Sequence, residues 1–279
     1  MAIDLRACLN AISDVVNNRP RPLREFDQIF MKTADMLLQT EHVGRLFEGK
    51  RVVFIGDGDA IGLCLVHLHN MQLVEHGPKN IHVLDFDERV VLSIRAFAER
   101  FGISERVSAE LYNIADALPR EHWEQFDCFY TNPPFGASNH GKNVKAFLQR
   151  GIEAMGHDAL GCLVLADHHS YPWTWKVLLA TQRILVQNDF IISELLPEFH
   201  HYHLDDAPDL TSCSMVVRRV ESHSAVYASI PLELSMLANF YGEESPLRIR
   251  YVRDLTQGGE FPSRDHLMEL FDGGGKDGE

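Results

Sequence analysis

The chain has 279 residues, 45% of them hydrophobic, enough to bury the core of one large α/β domain with a small additional piece. A net charge of −14 with no clustered Lys or Arg argues against nucleic acid as a partner and for a cationic one, although it serves solubility equally well. No apolar run reaches the roughly 18 residues of a membrane span, and the opening Met-Ala-Ile-Asp-Leu-Arg-Ala-Cys lacks a signal-peptide pattern, so a cytoplasmic protein without a membrane partner is expected.

Residues 1–48 read as a helical segment. Leu5, Leu9, Ile12, Val15 and Val16 have helical spacing, Asn17 to Pro22 break it, and a second helix is expected over 25–46. From residue 49 to 270 strands and helices alternate: strands at 51–55, 80–85, 107–112, 127–131, 160–166, 190–196 and 213–220, and helices at 60–75, 88–101, 143–155 and 174–187. This order predicts an α/β domain with a Rossmann-like, mostly parallel twisted sheet and helices on both faces. By analogy with methyltransferase-like sheets, the last two strands are expected to be antiparallel. A helix at 231–241 and a strand at 247–252 follow, and 271–279 reads as a disordered glycine-rich tail. The five cysteines are widely spaced and form no CxxC pair, so neither a disulfide framework nor a zinc ribbon is expected.

The chemistry sits at strand ends. Strand 51–55 runs into Gly56-Asp57-Gly58-Asp59-Ala60-Ile61-Gly62, where glycine permits a tight turn and close approach of a ligand. The next strand ends in Asp85-Phe86-Asp87. Asp85, or its neighbour Asp87, is placed to accept both hydroxyls of a ribose. Asp57 and Asp59 repel a pyrophosphate but attract a positive sulfonium. Asp116 is placed either to bond an adenine amino group or to cap a helix.

Asn132-Pro133-Pro134-Phe135 ends the fourth strand. The prolines bring no N–H, so the turn's carbonyls and the Asn132 side chain are left to accept hydrogen bonds from a substrate amine, with Phe135 as a wall or cation–π face. Residues 136–143 read as a mobile loop over the site. His200-His201-Tyr202-His203-Leu204-Asp205-Asp206 allows a metal by spacing. The preferred reading is a polar loop whose Asp205 and Asp206 face a cationic substrate, with no metal bound. His168 and His169 fall at a substrate-lid position or on the surface.

Several of these motifs occur in an order that resembles one family. Phe26 through Leu63, with Glu48-Gly49-Lys50 leading into the acidic glycine turn, Leu84-Asp85-Phe86-Asp87-Glu88-Arg89, Pro133-Pro134 and the helix with Phe147-Leu148 resemble the catalytic domain of the branched-chain polyamine synthases, the N4-bis(aminopropyl)spermidine synthases. The resemblance covers about 26–220. It implies a methyltransferase-like fold that transfers aminopropyl groups from decarboxylated S-adenosylmethionine to a polyamine nitrogen. It also implies that Asp59 holds the donor's ammonium end and accepts a proton from the attacking amine. Asn-Pro-Pro-Phe is also similar to the signature of S-adenosylmethionine-dependent N-methyltransferases, which keeps methyl transfer as the alternative. A cationic small-molecule amine is the expected partner in either case, and a homodimer is left open.

Overall fold

The computed structural model describes residues 4–220, 228–241, 249–256 and 266–271. In chain order the elements are α1 (Leu5–Asn18), α2 (Thr33–Leu46), β1 (Arg51–Ile55), α3 (Ile61–Asn70), β2 (Asn80–Asp85), α4 (Glu88–Arg100), β3 (Val107–Leu111), β4 (Phe126–Thr131), α5 (Lys142–Ala154), β5 (Met155–Ala166), α6 (Pro172–Gln187), β6 (Phe190–His201), β7 (Thr211–Arg219), the single-turn α7 (Leu234–Leu237), β8 (Ile249–Asp254) and β9 (His266–Leu270).

Seven strands form one sheet in the order β3-β2-β1-β4-β5-β7-β6. The pairs from β3 through β5 are parallel, while β7 runs antiparallel to both β5 and β6. The central strands β1 and β4 are buried on both faces, which is why Val52-Val53-Phe54-Ile55 and Cys128-Phe129-Tyr130 read as unbroken apolar runs. The chain order reverses between β1 and β4, so the carboxyl ends of these strands open a crevice where such sheets bind ligands.

The N-terminal helices form no core of their own. Cys8, Ile12, Val15, Met36, Val43 and Phe47 pack in one buried cluster with Leu65 of α3 and Phe54 and Tyr130 of the sheet. The helix expected over 25–46 begins only at Thr33. Asp27 adopts a left-handed φ of 56°, and residues 30–32 run instead beside the end of β6, where Lys32 N donates to the His201 carbonyl and His203 N to the Phe30 carbonyl. These bonds consume the backbone groups that a helix would have paired internally.

Other boundaries shift for similar reasons. Helix α3 stops at Asn70, with Gln72 left-handed just beyond it. The expected helix at 231–241 shrinks to α7, because Leu232 N bonds the Ala115 carbonyl. β6 extends to His201, so His200 and His201 lie in a strand, not in the expected loop. β8 pairs with β9 as a separate hairpin. The expected tail lies outside the described residues beyond Phe271. Among the described residues no helix is long and apolar enough to cross a membrane.

Candidate active site

Gly56 turns the chain out of β1 with a φ of +72°, which favours glycine, and an added Cβ would meet the Phe147 ring at 3.2 Å. Asp57 then folds its carboxylate over the start of α3: Oδ1 accepts from Ile61 N and Oδ2 from Gly62 N, each at 2.9 Å. A Cβ at Gly62 would stand 2.8 Å from Asp57 Oδ2, so the cap requires glycine there. Burial pushes the Asp57 pKa well up, with the neighbouring Asp59 charge adding to it. The Asp57 side chain is therefore a cap that also borders the crevice, where it was expected as a direct donor-binding group.

Asp85, at the end of β2, accepts from Asp57 N through Oδ2 (3.1 Å) and from Asp87 N through Oδ1 (2.9 Å). Burial, and then the Asp87 charge, push it up to about 7. Asp87 is differently used. It accepts from the α4 N-terminus at Arg89 N, holds the Arg89 guanidinium in two bonds of 3.0 and 2.6 Å, and takes a third from Gln28 Nε2. It is wholly buried and does not line the crevice, whereas Asp85 does. Asp116 is also turned away from the crevice and accepts from Arg250 at 3.1 Å. It therefore neither faces a ligand nor caps a helix, and Tyr112 and Ile114 line the crevice near it.

Asp59 and Asn132 form the centre of the site. Asp59 Oδ1 accepts from Met31 N at 2.8 Å and from Arg19 Nη1 at 3.4 Å, and Oδ2 accepts from Asn132 Nδ2 at 2.9 Å. Arg19, at the end of α1, is itself buried. Its guanidinium also donates to the Asp59 carbonyl and lies 4.0 Å from the centroid of the Phe30 ring. Burial raises the Asp59 pKa and Arg19 pulls it back. The Tyr202 hydroxyl is a neighbour of the same amide. With one amide hydrogen given to Asp59, the Asn132 Oδ1 and one remaining lone pair on Asp59 Oδ2 are left as acceptors.

Behind Asn132 a polar chain runs into the core. Tyr202 Oη lies 2.7 Å from Ser212 Oγ, Ser212 Oγ 2.8 Å from His200 Nδ1, and His200 Nε2 2.8 Å from Gln39 Oε1. Gln39 turns its amide nitrogen to Cys162, so its carbonyl accepts and His200 Nε2 donates. That leaves Nδ1 to accept from Ser212 and Ser212 to accept from Tyr202, whose hydroxyl neighbours the Asn132 amide. Burial, with His42 and His201 nearby, lowers the His200 pKa to about 3, which keeps the ring neutral as this order requires. His201 bonds Asp35 instead. The histidines thus face separate partners, and His200 has no nitrogen free for an ion.

The cavity between these groups is about 250 Å³. Pro133, Pro134 and Phe135 border it, and the Phe135 ring meets Tyr202 edge-on at 5.5 Å. Tyr241 stacks on Phe86 at 5.8 Å and 24°, with Phe26 edge-on to both, giving the Asp85 side an aromatic wall. Asp206 reaches the mouth, paired there with Arg24, whereas Asp205 is exposed and off the cavity. His168 and His169 also stand off it; Trp173 lines it in their place. The 136–143 stretch is a turn closed by Gly141 N bonding the Gly136 carbonyl, with Asn139 and Asn143 buried beneath. Arg19, Gln28, Tyr202 and Tyr241 gave no sequence signal, since each reaches the site from a segment distant along the chain. The lining holds the carboxyl groups of Asp27, Asp57, Asp59, Asp85 and Asp206 against Arg24, with Arg19 behind Asp59, a carboxyl-rich surface.

A match to the family of the branched-chain polyamine synthase A C-terminal domain spans residues 7–256. The chain belongs to that family. The polyamine synthase resemblance therefore extends past both ends of the segment that carried it in the sequence. The chain is 30% identical over 200 residues to the N(4)-bis(aminopropyl)spermidine synthase of Methanocaldococcus jannaschii, covering 70% of this chain and 52% of that protein. It is 27% identical over 199 residues to the Thermococcus kodakarensis enzyme of the same name, covering 70% and 52%. The chain spans about half the length of these curated relatives. In fold it is similar to the Thermus thermophilus branched-chain polyamine synthase C9 mutein, solved with N4-aminopropylspermidine and 5'-methylthioadenosine. The TM-score is 0.67 and the identity 22%, over 85% of this chain and 70% of that one. A Pyrococcus horikoshii putative RNA methyltransferase shares the fold with a TM-score of 0.55 at 14% identity, over 78% of this chain and all of that one.

Proposed function

We propose that the chain transfers an aminopropyl group from decarboxylated S-adenosylmethionine to an amine nitrogen of a polyamine-like cation. The observation that carries this reading is the carboxyl-rich lining of the crevice at the strand ends, whose ionisation a bound cation favours, in a chain of the polyamine synthase family. A sulfonium donor with a bare ammonium and a polycationic acceptor both gain from such a lining. The relatives named as N(4)-bis(aminopropyl)spermidine synthases support the same reaction.

Asp85 suits the donor's ribose, and the Phe86 and Tyr241 wall suits its adenine. Asp59 and the Asn132 Oδ1 stand together as acceptors for the attacking amine. The C–N bond forms as the C–S bond breaks, and the sulfur leaves as a neutral thioether, 5'-methylthioadenosine. The nitrogen then loses a proton, for which Asp59 Oδ2 keeps a lone pair. A carboxyl whose pKa burial has raised is the better acceptor for it.

One observation favours a second reading, methyl transfer from S-adenosylmethionine: an Asn side chain with a free carbonyl before Pro133-Pro134-Phe135 suits an amide or amino nucleophile equally well. Calorimetry with both donors in parallel separates the two. Tighter binding of the decarboxylated donor, followed by a mass gain of one aminopropyl group on spermidine, is the expected result. Preference for the carboxylated donor and a methyl mass gain would replace the first reading with the second.

A further inference from the structure

Outside the crevice, three side chains with metal-binding atoms converge. His82 on β2, Glu110 on β3 and His122 in the short turn at 120–122 bring one ligand atom each within 4.8 Å of one another. The parallel register sets His82 opposite Ser108 and Leu84 opposite Glu110, so His82 and Glu110 share one face of the sheet. His122 comes in from the segment leading into β4, and its ring packs on His82 at 4.7 Å. None of the three lines the crevice.

The hydrogen bonds make this more than an ion pair. His122 Nε2 lies 3.0 Å from Glu110 Oε2, an ordinary partner distance. His82 Nε2 lies 3.6 Å from the same oxygen, too far for a hydrogen bond, and among the described residues this buried nitrogen has no hydrogen-bond partner. On the other side of the ring, His82 Nδ1 is 2.8 Å from Ser108 Oγ, and Ser108 Oγ is 3.3 Å from the Ile81 carbonyl. Ser108 has one proton for two acceptors, the Ile81 carbonyl and His82 Nδ1. With that proton on the carbonyl, Oγ accepts the Nδ1 proton and His82 Nε2 presents a lone pair to a carboxylate oxygen, two acceptors face to face. A cation between them turns this mismatch into coordination.

We propose that His82, Glu110 and His122 bind a divalent transition-metal ion of the zinc class, in a site separate from the crevice and independent of the proposed activity. Zinc takes imidazole nitrogen and carboxylate oxygen at about 2.0–2.2 Å, which in tetrahedral geometry separates ligand atoms by about 3.3 Å. The observed 3.0 and 3.6 Å straddle that value. Ser108 supplies the outer hydrogen bond that orients a ligating imidazole. Glu110 remains partly exposed and offers the way in, with water for the fourth position. Two nitrogens and one oxygen exclude magnesium and calcium as preferred ions. Arg95, bonded to the Ala109 carbonyl, is close enough to depress His82 and lowers the affinity without blocking any ligand atom. The bound ion joins β2, β3 and the segment entering β4, and so stabilises the fold.

The test is zinc calorimetry on the untagged full chain after chelator treatment, paired with thermal scans. All five cysteines are buried, so they do not compete in the folded protein. One zinc per chain is expected, with a Tm rise of about 5 °C or more at a hundredfold excess over Kd. Glu110→Gln and His122→Gln, with unchanged melting in chelator, are expected to weaken zinc by ~30-fold or more, since even outer-shell losses reach 10–100-fold. Glu198→Gln, in the exposed group of His168, His169 and Glu198, is expected to leave binding unchanged. No zinc binding, binding retained in both Glu110→Gln and His122→Gln, loss in Glu198→Gln, or equal affinity for magnesium would each overturn the proposal.

Discussion

Asn132 Nδ2 donates to Asp59 Oδ2 at 2.9 Å, and this bond decides why an amide and not a carboxylate stands before the proline pair. A carboxylate there would face Asp59 acceptor to acceptor. Asn132→Asp is expected to destabilise the fold by ~1–3 kcal/mol near pH 8, the cost of a buried unsatisfied contact. The sign with pH follows from the crowding of two acids. The new pair holds one proton more firmly in the folded than in the unfolded state, so the penalty is small at pH 5 and grows as pH rises. Thermal scans of wild type and variant at the two pH values check this, and an equal penalty at both would show that the side chains do not interact.

Asp59 is the predicted proton acceptor, yet Arg19 makes it a structural partner as well. Asp59→Asn is expected to lower aminopropyl transfer by ~10²-fold or more, as losses of acid–base groups do. The same change strands the buried Arg19 charge and costs up to ~3–5 kcal/mol of stability. The double variant Arg19→Met with Asp59→Asn removes that penalty. If turnover returns with the stability, Asp59 takes no proton. If turnover stays low in a stable protein, the chemical role stands.

Asp85 gives a pH dependence free of the acceptor amine. Its carboxyl titrates near 7, raised by burial, and only the ionised form offers both oxygens to a ribose. The affinity for 5'-methylthioadenosine, an uncharged ligand at these pH values, is therefore expected to be flat above pH 7 and to fall toward tenfold per pH unit below it. Calorimetry from pH 5.5 to 8.5 reads this directly. Asp85→Asn is expected to bind at least tenfold more weakly and to lose the slope. A slope that survives in the variant would assign the titration to another group.

Much of the fold was legible because the signals were local. The apolar runs of β1, β2 and β4, each ending in a turn motif, placed the crevice and named Gly56, Asp59, Asp85, Asn132 and Phe135, all of which line it. What stayed hidden was long-range. Asp87 looked equivalent to Asp85 in sequence, and only the folded position of Arg89 and Gln28 shows it fully paired. Asp116 looked like an adenine ligand until β8 brought Arg250 to it. Arg19 and Met31 lie in a segment whose helical pattern gave no hint that residues 30–32 would run alongside the end of β6. The His200 and Tyr202 run read as a polar loop because alternation is weak in a strand that carries its polar side chains into a buried network.

That network supplies the last prediction. The order of donors from Tyr202 through Ser212 and His200 to Gln39 fixes the Tyr202 hydroxyl beside the Asn132 amide, whose nitrogen Asp59 also holds. Tyr202→Phe keeps the ring against Phe135 and removes only the hydroxyl. It leaves the Ser212 oxygen without its donor and removes the hydroxyl beside the Asn132 amide, for an expected loss of ~1–2 kcal/mol in stability. Because the freed amide can turn over, kcat is expected to fall about tenfold while KM for the donor, held at the Asp85 end, stays within about twofold. Steady-state kinetics with each substrate varied in turn tests this. A rise in donor KM with kcat unchanged would mean that Tyr202 shapes the crevice and does not orient Asn132.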